Sequence, residues 1–224
     1  MKFEGRYKHI LIGAGCGAIA GAFLVRSSTA VQGLRIDNLV QPLWVSMALV
    51  VGFSLYWTAA AKNSAPVKSS EHWASTVLHQ LLINVALLLL FLRIPGLTGR
   101  WLPSSPFLAP VGIAIQAGAT LLAIWARRHL GRNWSAEVSA KVDHQLIRSG
   151  PYKMLRHPIY TAMFGIYSGV AIASGEWHAL AGVGLLAIAY SRKIMLEEQT
   201  MRRVFGTEYD AYRHDSWALI PWVL

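Results

Sequence analysis

Cysteine and charged side chains are both scarce in this chain of 224 residues. A single cysteine, Cys16, excludes an intramolecular disulfide. Charged residues make up 14% of the chain, whereas about a quarter of the residues of a soluble domain are charged. Acidic residues number only 11, against 21 lysines and arginines. These shortages argue against a water-soluble domain, and the 54% share of hydrophobic residues favours a protein that is dissolved in lipid.

The hydrophobic residues concentrate in long segments rather than in short alternations. Six such segments lie at residues 10–25, 42–61, 76–94, 107–126, 159–174 and 177–196. A helix needs about 20 residues to cross a bilayer core of about 30 Å, and the first and fifth segments are shorter than that. We therefore predict an all-α integral membrane protein with about five to six transmembrane helices. No convincing cleavage region follows the first segment, so we interpret it as a retained anchor.

The basic residues predict the orientation of these helices. With six crossings and a cytoplasmic N-terminus, 17 of the 21 lysines and arginines fall on the cytoplasmic side. This asymmetry follows the positive-inside rule, so we predict that both termini face the cytoplasm. The two polar stretches, a linker at residues 127–157 and a tail from residue 197, then lie on the same membrane face. Because the basic residues alternate with apolar segments, we expect membrane lipids and no nucleic acid as partners.

A glycine-rich stretch in the first segment imitates a dinucleotide-binding motif. Gly13, Gly15 and Gly17 follow three aliphatic residues, and Asp37 lies about twenty residues further on. Gly13, Gly17 and Gly21 are also spaced four apart, which is typical of close packing between membrane helices. No further strands of a βαβ unit follow, so we favour the packing interpretation.

Three polar residues, His79, Gln80 and Asn84, interrupt the third apolar segment. Polar groups at membrane depth are costly and often functional. Hydrogen bonds between neighbouring helices also explain such residues, and we favour this interpretation over a substrate-binding role.

An ordered set of motifs follows in the linker and tail. In chain order these are His-x-Leu-Ile from residue 144, Gly-Pro-Tyr from 150, Arg-His-Pro-x-Tyr from 156, two adjacent glutamates at 197 and 198, and Phe-Gly-x-Glu-Tyr-x-x-Tyr from 205. In order and spacing the set resembles the isoprenylcysteine carboxyl methyltransferase family and its phospholipid methyltransferase relatives. The resemblance covers roughly residues 127–221. It implies a catalytic membrane methyltransferase core at 107–224, preceded by N-terminal transmembrane helices at 1–106.

The resemblance also implies a cytoplasmic pocket for S-adenosylmethionine. The residues that would hold this cofactor are His144, Leu146, Ile147, Gly150, Tyr152, His157, Pro158, Tyr160, Glu197 and Glu198. The candidates for catalytic contacts are Arg156, His157, Arg192 and Lys193. Two positions depart from the family pattern: Ala162 stands where glycine is common, and Lys193 stands where arginine is usual. The motifs give no reason to expect a metal site.

The residue types suit this cofactor on chemical grounds as well. A carboxylate such as Glu197 suits an ammonium group. An aromatic face such as that of Tyr152 or Tyr160 suits a sulfonium cation. A carboxylate acceptor needs no general base, whereas an amine acceptor would need one, and His157 or Glu198 could serve.

The predicted function is methyl transfer from S-adenosylmethionine to a lipophilic acceptor, with carboxyl O-methylation of an isoprenylcysteine-like substrate as the first hypothesis. Phospholipid amine N-methylation is the alternative within the family. A membrane reductase that uses NADPH on a related helical scaffold is a second alternative, and a non-enzymatic scaffold is a third. A basic loop that binds anionic lipid headgroups would explain the charge of the linker but not the paired glutamates.

Overall fold

The computed structural model describes residues 42–62, 67–70, 72–92, 96–97, 99–135, 138–141 and 145–222. The first apolar segment, its glycine-rich stretch and the predicted cofactor residue His144 lie outside the described residues.

Helices dominate the part of the chain that the structure describes. They are α1 (Pro42–Ala61), α2 (Trp73–Phe91), α3 (Leu108–Leu130), α4 (Pro158–Ser174), α5 (Trp177–Phe205) and α6 (Thr207–His214). Four of them, α1, α2, α3 and α5, are long and apolar enough to cross a membrane, and α4 is a shorter apolar helix. The predicted all-α membrane fold is confirmed. Two short strands that we did not predict, β1 (Val67–Ser70) and β2 (Ser139–Lys141), pair antiparallel.

The last long helix extends well beyond its apolar part. We predicted an apolar segment that ends at residue 196 and a polar tail with helical spacing from residue 197, and α5 spans both without a break to Phe205. No glycine or proline interrupts the chain between Gly184 and Gly206, and Gly206 then ends the helix with a positive φ of 52°. The adjacent glutamates at 197 and 198 therefore share one rigid helix with the basic pair at 192 and 193.

Glycines let α3 and α4 approach closely. A Cβ atom at Gly112 would collide with the backbone carbonyl of Gly169, and one at Gly169 would collide with the carbonyl of Gly112. One turn away, a Cβ at Gly165 would lie 2.7 Å from the Cβ of Ala119. Small residues of this kind are the usual contact surface between membrane helices. The close contact fixes the direction of α4, whose first turn carries predicted site residues.

We expect Gly112→Leu to destabilise the protein by separating α3 from α4. Overpacking of a tight contact costs about 1–3 kcal/mol, and here the obstacle is backbone, which cannot move aside. The matched control is Gly118→Leu on the same helix, because a Cβ at Gly118 meets nothing within 4 Å. Thermal unfolding in detergent should show a lower midpoint for Gly112→Leu only, and equal midpoints would contradict this packing.

Two clusters of buried side chains lie between the helices. The main cluster draws residues from α1, α2, α3, α4 and α5, so the N-terminal helices share a core with the later ones. A smaller cluster of Ala126, Trp134, Tyr152 and Ile159 joins the end of α3 to the linker and to the start of α4. This second cluster holds the linker against the membrane helices.

The polar residues of α2 have different environments. The ring centroid of His79 lies 5.9 Å from that of Tyr190, so this side chain packs against α5. The buried Nδ1 atom of His79 and the buried Oδ1 atom of Asn84 have no hydrogen-bond partner among the described residues, so the predicted hydrogen bonding between helices is not met at these atoms.

Candidate active site

A cavity of about 140 Å³ opens where the linker, the start of α4, the last turns of α5 and α6 meet. Seven predicted site residues line it: Leu146, Ile147, Tyr152, Arg156, His157, Tyr160 and Glu197. Other lining residues were not among the predicted ones: Leu130, Asn133, Trp134, Ser135, Val138, Gln145, Ile159, Met201, Tyr209 and Tyr212. The structure thus brings together motifs that are about fifty residues apart in the chain.

The carboxylate of Glu197 lies in the wall of this cavity. The hydroxyl of Tyr160 donates a hydrogen bond of 2.5 Å to Oε1 of Glu197. The Nδ1 atom of His157 lies 3.8 Å from Oε2, which is too long for a hydrogen bond. Among the described residues, Glu197 forms no ion pair with lysine or arginine. Within the described part of the chain, its negative charge therefore faces the cavity without a counter-charge from lysine or arginine.

The neighbouring Glu198 has a different role. Arg156 donates from Nε to Oε1 of Glu198 at 2.9 Å, and Nε of Arg213 lies 3.1 Å from Oε2. Consecutive residues of a helix point about 100° apart, which turns Glu198 away from the cavity. Glu198 was predicted to bind the cofactor, but the structure places it in an ion-pair network behind the cavity wall.

The same network orients the ring of His157. Its Nε2 atom lies 3.3 Å from Oε1 of Glu198. An ionised carboxylate can only accept hydrogen bonds, so Nε2 carries a proton in this contact. In a neutral ring the lone pair then lies on Nδ1, the atom on the side of Glu197. His157 is buried as the residue that precedes the first turn of α4, which leaves the ring little freedom to turn.

The backbone of the C-terminal segment closes the site from behind. The amide of Arg156 donates to the carbonyl of Trp217 at 2.8 Å, and the amide of His157 donates to the carbonyl of Ala218 at 3.1 Å. The side chain of Arg156 also donates to the carbonyls of Arg213 and Ser216. The first amides of a helix need external acceptors. This requirement predicts that some segment covers the backbone near residue 157, but the sequence does not indicate which segment it is.

Trp134 forms an aromatic wall that we did not predict as part of the site. The guanidinium carbon of Arg127 lies 4.4 Å from the centre of the Trp134 ring, and the Trp57 ring meets it edge-on at 5.4 Å. Arg127 itself donates to the carbonyl of Ala60 at 2.6 Å. Trp134 is thus held between α1 and α3. The sequence did offer one signal for including Trp134 in the site, which is its position shortly after the basic residues at the end of α3.

Tyrosines on the linker and on α6 complete the wall. The hydroxyl of Tyr212 donates to the carbonyl of Tyr152 at 2.7 Å. Burial raises the pKa of the Tyr212 hydroxyl to about 12. Burial raises the pKa values of the Tyr152 and Tyr209 hydroxyls still further above the ordinary value for tyrosine. All three hydroxyls therefore keep their protons at physiological pH and can act as hydrogen-bond donors.

Five predicted site residues in the described part of the chain do not line the cavity: Gly150, Pro158, Arg192, Lys193 and Glu198. Gly150 adopts a positive φ of 58° and leaves no space for a side chain, because the ring of His129 lies against it. Pro158 is the first residue of α4, a position that suits its fixed φ. Arg192 donates to Ser75 Oγ on α2 at 2.6 Å, and Lys193 is buried.

The segment from α3 to α6 matches a known protein family. Residues 108–208 match the family model described as phospholipid methyltransferase. The match spans 101 of the 224 residues, so it shows a similarity to this family over the segment from α3 to α6. The predicted resemblance is confirmed over that segment.

Two curated relatives and one solved structure are similar to this chain. The nickel-cobalt-cadmium resistance protein NccN of Alcaligenes xylosoxydans xylosoxydans is 35% identical over 95 residues, which cover 41% of this chain and 44% of that protein. The protein-S-isoprenylcysteine O-methyltransferase A of Arabidopsis thaliana is 25% identical over 157 residues, which cover 69% of this chain and 76% of that protein. The chain thus matches less than half the length of the first relative.

The structural match concerns a eukaryotic intramembrane Ras methyltransferase, isoprenylcysteine carboxyl methyltransferase. The two structures align with a TM-score of 0.56 at 17% identity, over 84% of this chain and 70% of the other. At this level of identity the similarity shows the fold alone. The described residues therefore share a helical fold with that intramembrane enzyme.

Proposed function

We propose that this chain transfers a methyl group from S-adenosylmethionine to a lipophilic acceptor, and that the acceptor atom is the carboxylate oxygen of an isoprenylcysteine-like substrate. The observation that carries the proposal is the position of Glu197. Its carboxylate lies in the wall of a cavity rich in aromatic side chains, and no lysine or arginine among the described residues neutralises it. A ligand that carries both an ammonium group and a flat aromatic base suits such a cavity.

The residues present fit this cofactor. Glu197 would bind the ammonium group through charge-assisted hydrogen bonds. Tyr152 and Tyr160 offer ring faces that favour a nearby cation, and Trp134 offers a large face that suits an adenine ring. When bound, the cofactor supplies an electrophilic methyl group on a sulfonium. The contribution of the protein is to exclude water and to hold the acceptor in line with that methyl.

The basic pair at the end of the membrane part of α5 supports a carboxylate acceptor. Lys193 lies four residues before Glu197, so the two side chains belong to the same face of the helix. A cation there would orient a carboxylate beside the cofactor and repel an amine. The similar Arabidopsis protein is named as an isoprenylcysteine O-methyltransferase, which agrees with this choice.

The experiment that tests the function measures transfer of labelled methyl groups by the purified protein in lipid nanodiscs. The acceptor panel should contain a prenylated cysteine with a free carboxylate, the same molecule as its amide, and phosphatidylethanolamine. We expect label in the free carboxylate alone. Label in phosphatidylethanolamine alone would replace the O-methylation proposal by N-methylation. No transfer to any acceptor, together with no cofactor binding, would refute the proposed function.

We expect Lys193→Met to lower turnover of the carboxylate acceptor while S-adenosylmethionine still binds. Hydrogen bonds to charged groups contribute roughly 1.5–3 kcal/mol, or about a ten- to hundredfold change in rate. Lys62→Met is the matched control, because Lys62 is exposed and does not line the cavity. Turnover that is unchanged in Lys193→Met would remove Lys193 from the acceptor site.

We also propose that the active site faces the cytoplasm, because of the distribution of basic residues. With Cys16→Ser as background, a cysteine at Asp215 should react with an impermeant maleimide only from the cytoplasmic face. A cysteine at Ser105, in the exposed connection between α2 and α3, should react only from the opposite face. Labelling of both positions from one face would contradict the predicted topology.

A further inference from the structure

The segment 215–222 follows α6 and runs beside the start of α4. The amide of Trp217 donates to the carbonyl of Met154 at 3.0 Å, and the Thr161 hydroxyl donates to the carbonyl of Leu219 at 2.7 Å. Together with the hydrogen bonds from the amides of Arg156 and His157, these contacts attach the segment to residues 154–161, which include cavity residues. We call this segment the C-terminal strap.

The inner side of the C-terminal strap contacts the membrane helices. Leu219 is half-buried and packs against the main hydrophobic cluster between the helices α1 to α5. Its carbonyl meets the first turn of α4, an apolar helix. The strap therefore lies at the level where α4 enters the hydrophobic part of the protein, and not out in the solvent.

The outer side of the strap is apolar and exposed. Trp217 is 39% exposed, Ile220 is 50% exposed and Trp222 is 81% exposed. The two tryptophan rings lie 6.4 Å apart, and Met154, which is 56% exposed, is bonded to the strap through its carbonyl. A cluster of exposed apolar side chains indicates a surface that binds something.

We propose that the C-terminal strap is an interfacial anchor: its outer side chains bind at the boundary between lipid headgroups and acyl chains, while its inner edge holds Arg156 and His157 in place. Two observations favour a lipid surface over a protein partner. The strap is attached to the membrane helices themselves, because Leu219 packs on the hydrophobic cluster between them, and tryptophan prefers the boundary depth of a bilayer. The exposed Lys153, next to Met154, adds a cation that suits anionic headgroups.

The anchor makes the membrane surface part of the active-site framework. Contact with lipid would hold the strap against residues 154–161, and the strap supplies the backbone acceptors for the amides of Arg156 and His157, the two residues before α4. Loss of the lipid contact should therefore weaken the hydrogen bonds of the Arg156 and His157 amides before it affects helices elsewhere. This inference depends on the membrane location of the helices and not on the identity of the cofactor or acceptor.

The first test measures depth in nanodiscs that each hold one copy of the protein. With Cys16→Ser as background, an environment-sensitive fluorophore is attached at Trp222→Cys or Ile220→Cys, and at Asp215→Cys as the control. We expect blue-shifted emission at 220 and 222 that lipids with a spin label near the headgroup quench, and water-like emission at 215. Water-like emission at all three positions would overturn the proposal. A blue shift that spin-labelled lipid does not quench, and that appears when a second copy of the protein shares the disc, would also overturn the proposal. A protein partner would then cover the patch.

The second test follows hydrogen exchange in the double variant Trp217→Ser, Trp222→Ser. The amides of Arg156 and His157 should exchange about two- to tenfold faster than in the wild-type protein, the range expected when one hydrogen bond of ordinary strength weakens. The control is Trp73→Ser, which removes a tryptophan that is 66% exposed from the start of α2, away from the strap. Unchanged exchange at both amides, or equal acceleration in the control, would overturn the coupling between the strap and the site.

Discussion

Glu197→Gln should weaken the binding of S-adenosylmethionine about ten- to a hundredfold and leave the unfolding temperature unchanged. Glutamine keeps an oxygen that can accept the hydrogen bond from Tyr160, so the wall of the cavity stays in place. What disappears is the negative charge that would bind the ammonium group of the cofactor. Hydrogen bonds to charged groups contribute roughly 1.5–3 kcal/mol, which corresponds to this change in affinity. Calorimetric titration of the detergent-solubilised protein measures it.

A second variant separates a specific contact from a general effect of charge. Glu208→Gln removes one negative charge from α6, where Glu208 is exposed and pairs with Arg148 at 2.8 Å. Glu208 does not line the cavity, so its loss should leave cofactor affinity unchanged. Equal weakening in both variants would mean that the acidic residues act only as a diffuse charge, and Glu197 would then lose its assigned role.

The membrane helices could be predicted because their signal is a property of local sequence. The segment 42–61 coincides with α1, and the boundaries of α4 follow from Pro158 at its start and Gly175 after its end. The end of α5 was predicted less well. An apolar window of about 20 residues reports where lipid ends, whereas a helix ends where the backbone meets a breaker, here Gly206.

The site could be predicted only where a motif names its residues. The sequence placed His157, Tyr160 and Glu197 together through a family resemblance, and the structure brings their side chains into contact. Helical geometry already favoured Glu197 over Glu198 as the cofactor's anchor, since consecutive side chains point about 100° apart. It did not predict the ion pairs of Glu198 with Arg156 and Arg213, because these depend on how α5 packs against α4 and α6. The backbone bonds between Trp217 and residues near 156 were also out of reach, since a backbone carbonyl carries no sequence signature.

Glu198→Ala should have the largest effect on stability among the site variants. Glu198 accepts a hydrogen bond from Arg156, and its second oxygen lies 3.1 Å from Nε of Arg213. The Arg156 side chain is only 9% exposed, so the variant leaves a nearly buried cation without its carboxylate. Removal of one partner from a buried ion pair costs roughly 3–5 kcal/mol. The remaining carbonyl contacts of Arg156 place the expected loss near the lower end of that range, and unfolding by denaturing detergent measures it.

The effect follows from burial and not from ion pairing as such, which a matched variant can demonstrate. Glu208→Ala also removes a glutamate that pairs with an arginine, but the side chains of Glu208 and Arg148 are 59% and 38% exposed. Exposed pairs contribute about 0–1 kcal/mol, so this variant should unfold almost like the wild-type protein. Glu198→Ala should also release the ring of His157, because Nε2 loses its acceptor and the ring can turn in its site. A Glu198→Ala protein as stable as the Glu208→Ala protein would show that the carbonyls of Arg213 and Ser216 satisfy Arg156 on their own. Glu198 would then not be needed to hold Arg156, and its predicted role in cofactor binding would stand again.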